Sequence, residues 1–134
     1  MKCSDFTILV AEDDLSMLQI YENALSSEGY HLILVESCER ALAELAEKEA
    51  NLLITDLKMA EMHGFEMFPL LVKDHPDLPV IVVSGTYQGL MEDFHHRGFD
   101  NVKAFFLKPM NMNVLKRSIR EVLKIDELEL TSQE

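Results

Sequence analysis

The chain is short of cysteines, of cations and of long apolar runs, and each shortage removes a class of protein. Two cysteines among 134 residues, Cys3 and Cys38, stand in no CxxC or metal-ligand spacing. A disulfide framework and a zinc site are therefore not expected, and both side chains read as free thiols. Twelve Lys and Arg face 24 Asp and Glu, for a formal net charge of −12. Phosphate affinity depends on basic side chains releasing counterions, so this segment is not expected to bind nucleic acid directly. Apolar runs such as Ile8–Ala11 and Val80–Val83 fall far below the ~20 residues needed to cross a bilayer. The amino terminus, Met1-Lys2-Cys3-Ser4-Asp5, leads into an apolar stretch that stops at Glu12-Asp13-Asp14, unlike a signal peptide. A cytoplasmic protein of one domain is expected, since 134 residues suffice for one core.

What is present is alternation. Short β-branched apolar runs, Phe6–Ala11, His31–Val35, Asn51–Thr55, Val80–Val83 and Lys103–Leu107, read as strands. Between them lie segments at helical spacing: Leu18, Tyr21 and Leu25 before Gly29, and Ala41, Leu42, Leu45 and Ala46 after Ser37, a good N-cap. Phe65, Phe68, Leu71 and Val72 predict a third helix ending near His75, because Pro76 disfavours helical geometry in the residue before it. A fourth spans about Gly89–Arg97 and stops at Gly98. Leu115, Ile119 and Val122 stripe a fifth, begun after Lys108-Pro109, where proline cannot continue strand pairing. Strands alternating with helices imply an α/β fold with a five-stranded parallel sheet and helices on both faces. Residues 125–134 are acidic and weakly periodic, and read as a tail or the start of a linker after a domain over 1–124.

Four polar signals sit where strands stop: Glu12-Asp13, Asp56, Ser84 and Lys108. In an open α/β sheet such ends converge on the crevice that binds ligands. Two negative charges ~5 Å apart repel by about 3 kcal/mol at an effective dielectric near 20, so Glu12, Asp13 and Asp56 together call for a cation. Magnesium suits hard oxygen ligands, and manganese can replace it. Asp56 at such a place can act as a nucleophile toward phosphorus, while a cation, Lys108 and the Ser84 hydroxyl meet the phosphoryl oxygens. Each residue also has a plain reading: Asp14 as a helix cap, which is preferred for that residue, Asp56 opening a turn, Ser84-Gly85 as a loop and Lys108 as a solvated lysine.

The motifs ILVAEDD, LLITDLKMAEMHG, Ser84-Gly85 after IVV, and FFLKP resemble, in order and spacing, the receiver domain of two-component response regulators, from Thr7 to Lys124. The resemblance implies the doubly wound, flavodoxin-like receiver fold of strand order 2-1-3-4-5, an order for which the principle itself uses a receiver as its illustration. It implies Asp56 as phosphoacceptor from a histidine kinase or phosphotransfer protein, and a Mg2+ (or Mn2+) site of Glu12, Asp13, Asp56 and the Lys58 backbone carbonyl. Ser84 and Lys108 would bind the phosphoryl group, and Ser84 and Phe105 would switch. The face of the fourth helix, fifth strand and fifth helix would meet an output domain or partner, with homodimerisation on phosphorylation left open. Such a chain is a switch rather than an enzyme, although it assists its own phosphoryl transfer and autodephosphorylation.

Four positions stand out. Ala60 replaces a proline common in the family, and Lys58 and Thr86 occupy positions that tune acyl-phosphate lifetime. The first acid is Glu rather than Asp, still able to bind metal directly or through water. Met59, Met62, Met67, Met91, Met110 and Met112 read as gap fillers, and the histidines as surface residues. Two other functions stay open: an adaptor that keeps the fold without phosphorylation, and a haloacid-dehalogenase-type hydrolase, which would want an aspartate where Lys58 stands.

Overall fold

Every residue of Ile8–Ala11 is buried because β1 (Thr7–Ala11) lies in mid-sheet, its side chains alternating between two faces. Leu9 and Ala11 enter one core, Ile8 and Val10 the other. Around it β2 (His31–Val35), β3 (Leu52–Thr55), β4 (Val80–Ser84) and β5 (Val102–Leu107) add in parallel. The resulting order, β2-β1-β3-β4-β5, is the doubly wound one expected from the sequence. This computed structural model describes residues 2–56, 64–85 and 95–125.

Helix α1 (Leu15–Ser26) buries Leu18, Tyr21 and Leu25, the three positions that periodicity selects. It begins at Asp14, whose carboxylate accepts the backbone N–H groups of Ser16 and Met17, a cap worth about 1 kcal/mol. Helix α2 (Cys38–Glu47) is capped by Ser37 and buries Cys38, Ala41 and Leu45. Leu42 is only partly buried and Ala46 is exposed, so the apolar face runs through Cys38 rather than through Ala46. Helix α3 (Gly64–Asp74) places Met67, Phe68 and Leu71 in the core, and it stops two residues before Pro76, as expected.

Helix α4 (Met112–Leu123) is the last among the described residues; Asn111 caps it, and Leu115 and Ile119 are buried along the striped face. Cores and helices sort by sheet face: α2 and α3 cover Leu9, Leu53 and Val82, whereas α1 and α4 cover Ile8, Val10 and Ile81. Ile125, assigned by sequence to the tail, is 6% exposed and packs in the second core. Cys3 and Cys38 are both free and buried. Residues 95 and 96 are helical and a turn closes at Gly98, with φ +83, which only a residue without a Cβ adopts at little cost. That is where the fourth predicted helix was to end; its earlier part lies outside the described residues.

Between Val80 and Ile81 the β4–β5 register shifts, so that Val102 and then Ala104 become the partners and Lys103 is the extra residue. A bulge of this kind re-aims the side chains that follow. Val102 and Phe105, three positions apart, therefore both serve the core under α2 and α3, with Phe105 only partly buried. Among the described residues no helix is long and apolar enough to cross a membrane.

Candidate functional site

Strand register builds the site. Ala11 pairs with Thr55, so the residues that follow, Glu12 and Asp56, leave neighbouring strands side by side. Ser84 pairs with Leu107, so Lys108 emerges next to the end of β4. Backbone bonds carry the pairing one step further: the Asp56 N–H donates to the Ala11 carbonyl at 3.4 Å, the Lys108 N–H to the Ser84 carbonyl at 2.8 Å, and the Glu12 N–H to the Val35 carbonyl at 3.0 Å. The polar residues thus collect at the carboxyl edge of the sheet, where doubly wound folds bind their ligands.

The side chains complete the arrangement. Lys108 Nζ donates to Glu12 Oε1 at 2.5 Å and to Asp56 Oδ2 at 2.8 Å. The second Glu12 oxygen accepts the Asp14 backbone N–H at 3.1 Å. Glu12 is 2% exposed, Asp56 7% and Ser84 0%, while Asp13 is exposed beside them. Among the described residues no group of three or more His, Cys, Asp or Glu side chains is gathered closely enough to hold a metal ion. Two of the three expected carboxylates meet around a lysine, and the third stands apart toward solvent.

Electrostatics follow from that geometry. Burial pushes the Glu12 carboxyl above the usual glutamate value and the charge of Asp56 adds to this, against the opposing pull of Lys108 and the Asp14 amide. Burial alone would lower the affinity of Lys108 for its proton, but the hydrogen bonds to Asp56 and Glu12 outweigh it and hold the ammonium above the usual lysine value. The phenol of Tyr21, buried in α1, is raised first by burial and then by the charges of Glu12 and Asp56. Its proximity to the site has no signature in the sequence, where helical spacing marks it only as core.

A divalent cation would meet hard oxygen donors here. Carboxylate oxygens are of the hard type that magnesium or manganese takes, but Lys108 already bonds Glu12 and Asp56 and the described residues do not draw Asp13 in with them as a metal-holding group. Of the other candidates, Phe105 lies on β5, partly buried, and Lys58 and Thr86 fall outside the described residues, as do Ala60, Met59, Met62 and Met91. Met67 is fully buried, and Met110 and Met112 pack against the second core, in keeping with gap filling. His31, His95 and His96 are exposed.

Comparison with known proteins agrees with the fold. The family model described as "Response regulator receiver domain" matches residues 8–120. Transcriptional regulatory protein GlrR of Escherichia coli (strain K12) is 32% identical over 117 residues, which cover 87% of this chain and 26% of GlrR. The chain thus spans about a quarter of that relative's length. A CheY-like response regulator receiver domain protein from Methanospirillum hungatei superposes with a TM-score of 0.80 at 26% identity, covering 96% of this chain and 98% of that one. Response regulator TrrA of Thermotoga maritima, solved in complex with Mg(2+)-BeF, shares the fold at a TM-score of 0.73 and 22% identity, covering 91% of this chain and 99% of its own.

Proposed function

The chain belongs to the response regulator receiver domain family of two-component systems, and on that premise we propose that it is a phosphorylation-dependent switch with Asp56 as phosphoacceptor. The carrying observation is the meeting of Lys108 with Glu12 and Asp56 at one strand edge. A partly buried ammonium beside the Asp56 carboxylate provides a positive charge ready for a phosphoryl oxygen.

The reaction follows from these parts. A carboxylate oxygen of Asp56 attacks the phosphorus of a phosphohistidine on a histidine kinase or phosphotransfer protein. The P–O bond forms as the P–N bond breaks, the electron pair returns to the imidazole nitrogen, and Asp56 becomes an acyl phosphate. Lys108, held at Asp56, moves its contact to a phosphoryl oxygen, and the Ser84 hydroxyl donates to another. Asp13, Asp56, the Lys58 backbone carbonyl and Glu12, directly or through water, would hold Mg2+ (or Mn2+), which when bound neutralises charge on the transferred group. The Thermotoga neighbour, itself a complex with Mg(2+)-BeF, supports that assignment at the level of the fold.

Signalling then passes from the site to a surface. Drawing Ser84 inward moves the segment after β4, and Phe105, partly buried on the adjoining strand, follows it. A local charge event of this kind biases a two-state element. The face around β5 and α4 would change its affinity for an output domain or partner, and phosphorylation would drive homodimerisation if that face self-associates. GlrR is a transcriptional regulatory protein almost four times as long as the matched segment, which supports an output located elsewhere. Lys58 and Thr86 would set the lifetime of the acyl phosphate, and the setting would be cytoplasmic.

Intact-mass measurement after incubation with acetyl phosphate and magnesium tests the assignment. One phosphoryl group is expected on the wild-type chain and none on Asp56→Asn; equal labelling of the two proteins overturns it.

A further inference from the structure

A cavity of about 510 Å3 opens at the amino edge of the sheet, where Asn51 and Pro79 lead into β3 and β4. The buried Leu45 and Leu78, with Pro76 and Pro79, give it an apolar lining. Its charged lining is unequal. Glu49, Asp74 and Asp77 are exposed carboxylates, whereas Lys48, the one lysine that lines it, is paired with Glu44 at 3.2 Å. Helices α2 and α3 both end here, at Glu47 and Asp74, and the carbonyl end of a helix favours positive charge. The last turn of α2 holds no basic residue to answer it.

We propose that this cavity binds a small organic cation, an amidinium, guanidinium or ammonium group carried on a compact apolar body. Small-molecule sites enclose about 300–1,000 Å3, with mainly apolar walls and a few polar groups that fix orientation, and this cavity has that size and that lining. The apolar body packs on Leu45, Leu78 and the two prolines, and the charged end meets the carboxylates of Glu49, Asp74 or Asp77. A metal ion suits the place less well, because among the described residues no three His, Cys, Asp or Glu side chains are gathered closely enough to hold one. An organic cation needs only one or two carboxylates and brings apolar area of its own. Anions are disfavoured by the same carboxylates and helix ends. The inference does not rest on the phosphoacceptor reading, since Asp56 and Ser84 stand at the opposite, carboxyl ends of β3 and β4.

Benzamidine, with uncharged benzamide as its match in shape, tests this by two-dimensional amide NMR titration of the isotope-labelled chain. Benzamidine should give saturable shifts confined to the backbone amides of residues 48–51 and 74–78, which line the cavity. Exposed ion pairs are individually weak, so the double variant Asp74→Asn, Asp77→Asn should bind benzamidine about threefold or more weaker. Glu49→Gln should act in the same direction, and it replaces the pair if the double variant does not fold. Glu22→Gln with Glu121→Gln removes two exposed acids from α1 and α4, on the other face of the sheet, and should leave the affinity unchanged. Shifts that do not saturate or that map elsewhere on the acidic surface overturn the proposal. So does benzamide binding as tightly as benzamidine, or an equal loss in the Glu22, Glu121 control.

Discussion

Removing one ammonium should unbalance the whole sheet edge. Lys108→Met keeps most of the side-chain stem and deletes the charge, leaving Glu12 and Asp56, 2% and 7% exposed, as neighbouring carboxylates without the cation that bonds both. Breaking a buried ion pair from one side costs about 3–5 kcal/mol. The Lys108 side chain is 20% exposed, so water and salt recover part of this, and the lower end, about 3 kcal/mol, is the expected loss. Urea slopes of about 1–3 kcal/mol per molar turn that into a midpoint lower by about 1–3 M. Far-UV circular dichroism in urea with EDTA reads it directly. The loss should also depend on pH. The folded Glu12 carboxyl already lies above the usual glutamate value and rises further without Lys108. A raised carboxyl favours folding below its unfolded value and loses that contribution as pH climbs through the folded one. The variant's penalty is therefore smaller near about pH 4 than near about pH 8, and adding Glu12→Gln recovers part of it at the higher pH. A loss below about 0.5 kcal/mol, in the range of ordinary surface substitutions, or one that is the same at both pH values, would refute the reasoning.

Two further outcomes test the frame around the site. Asp14→Ala removes the acceptor for the Ser16 and Met17 amides and should cost about 1 kcal/mol in urea unfolding, with Asp14→Asn close to neutral; equal costs for the two would argue against the cap. Burial, and then the charges of Glu39, Asp56, Glu66 and Asp13, push the Cys38 thiol up to about 12. Since the thiolate is the reactive form and both cysteines are buried, iodoacetamide near neutral pH should leave the native chain unmodified by mass and alkylate both cysteines in urea.

Fold and edge were legible for different reasons. Helix periodicity is local, and Leu18, Tyr21 and Leu25 are the buried residues of α1 because three spacings on one helix determine one face. The buried face of α2 lies one step from the one its aliphatic residues mark, because Cys38 packs as a small apolar side chain and begins the series Cys38, Ala41, Leu45. The strand order depended on a family resemblance, since alternation alone indicates a parallel sheet without saying which strands are neighbours. The bulge at Lys103 left no local mark. It depends on the pairing partner, and it is what brings Phe105 to the same core as Val102.

The site itself shows what a strand-end pattern can and cannot reveal. Charge counting at Glu12, Asp13 and Asp56 calls for a cation and sets Lys108 at the same edge, but it does not show which carboxylates the lysine bonds. Lys108, 96 residues from Glu12 in sequence, supplies the first positive charge from within the chain, and it does so through register: Ser84 opposite Leu107 puts Lys108 at the edge where Ala11 opposite Thr55 has put Glu12 and Asp56. An internal cation changes the expected energetics. A phosphoryl group on Asp56 would meet an ammonium already in place, and because Glu12 bonds that ammonium as well, the lysine could turn to the new group without losing its second partner.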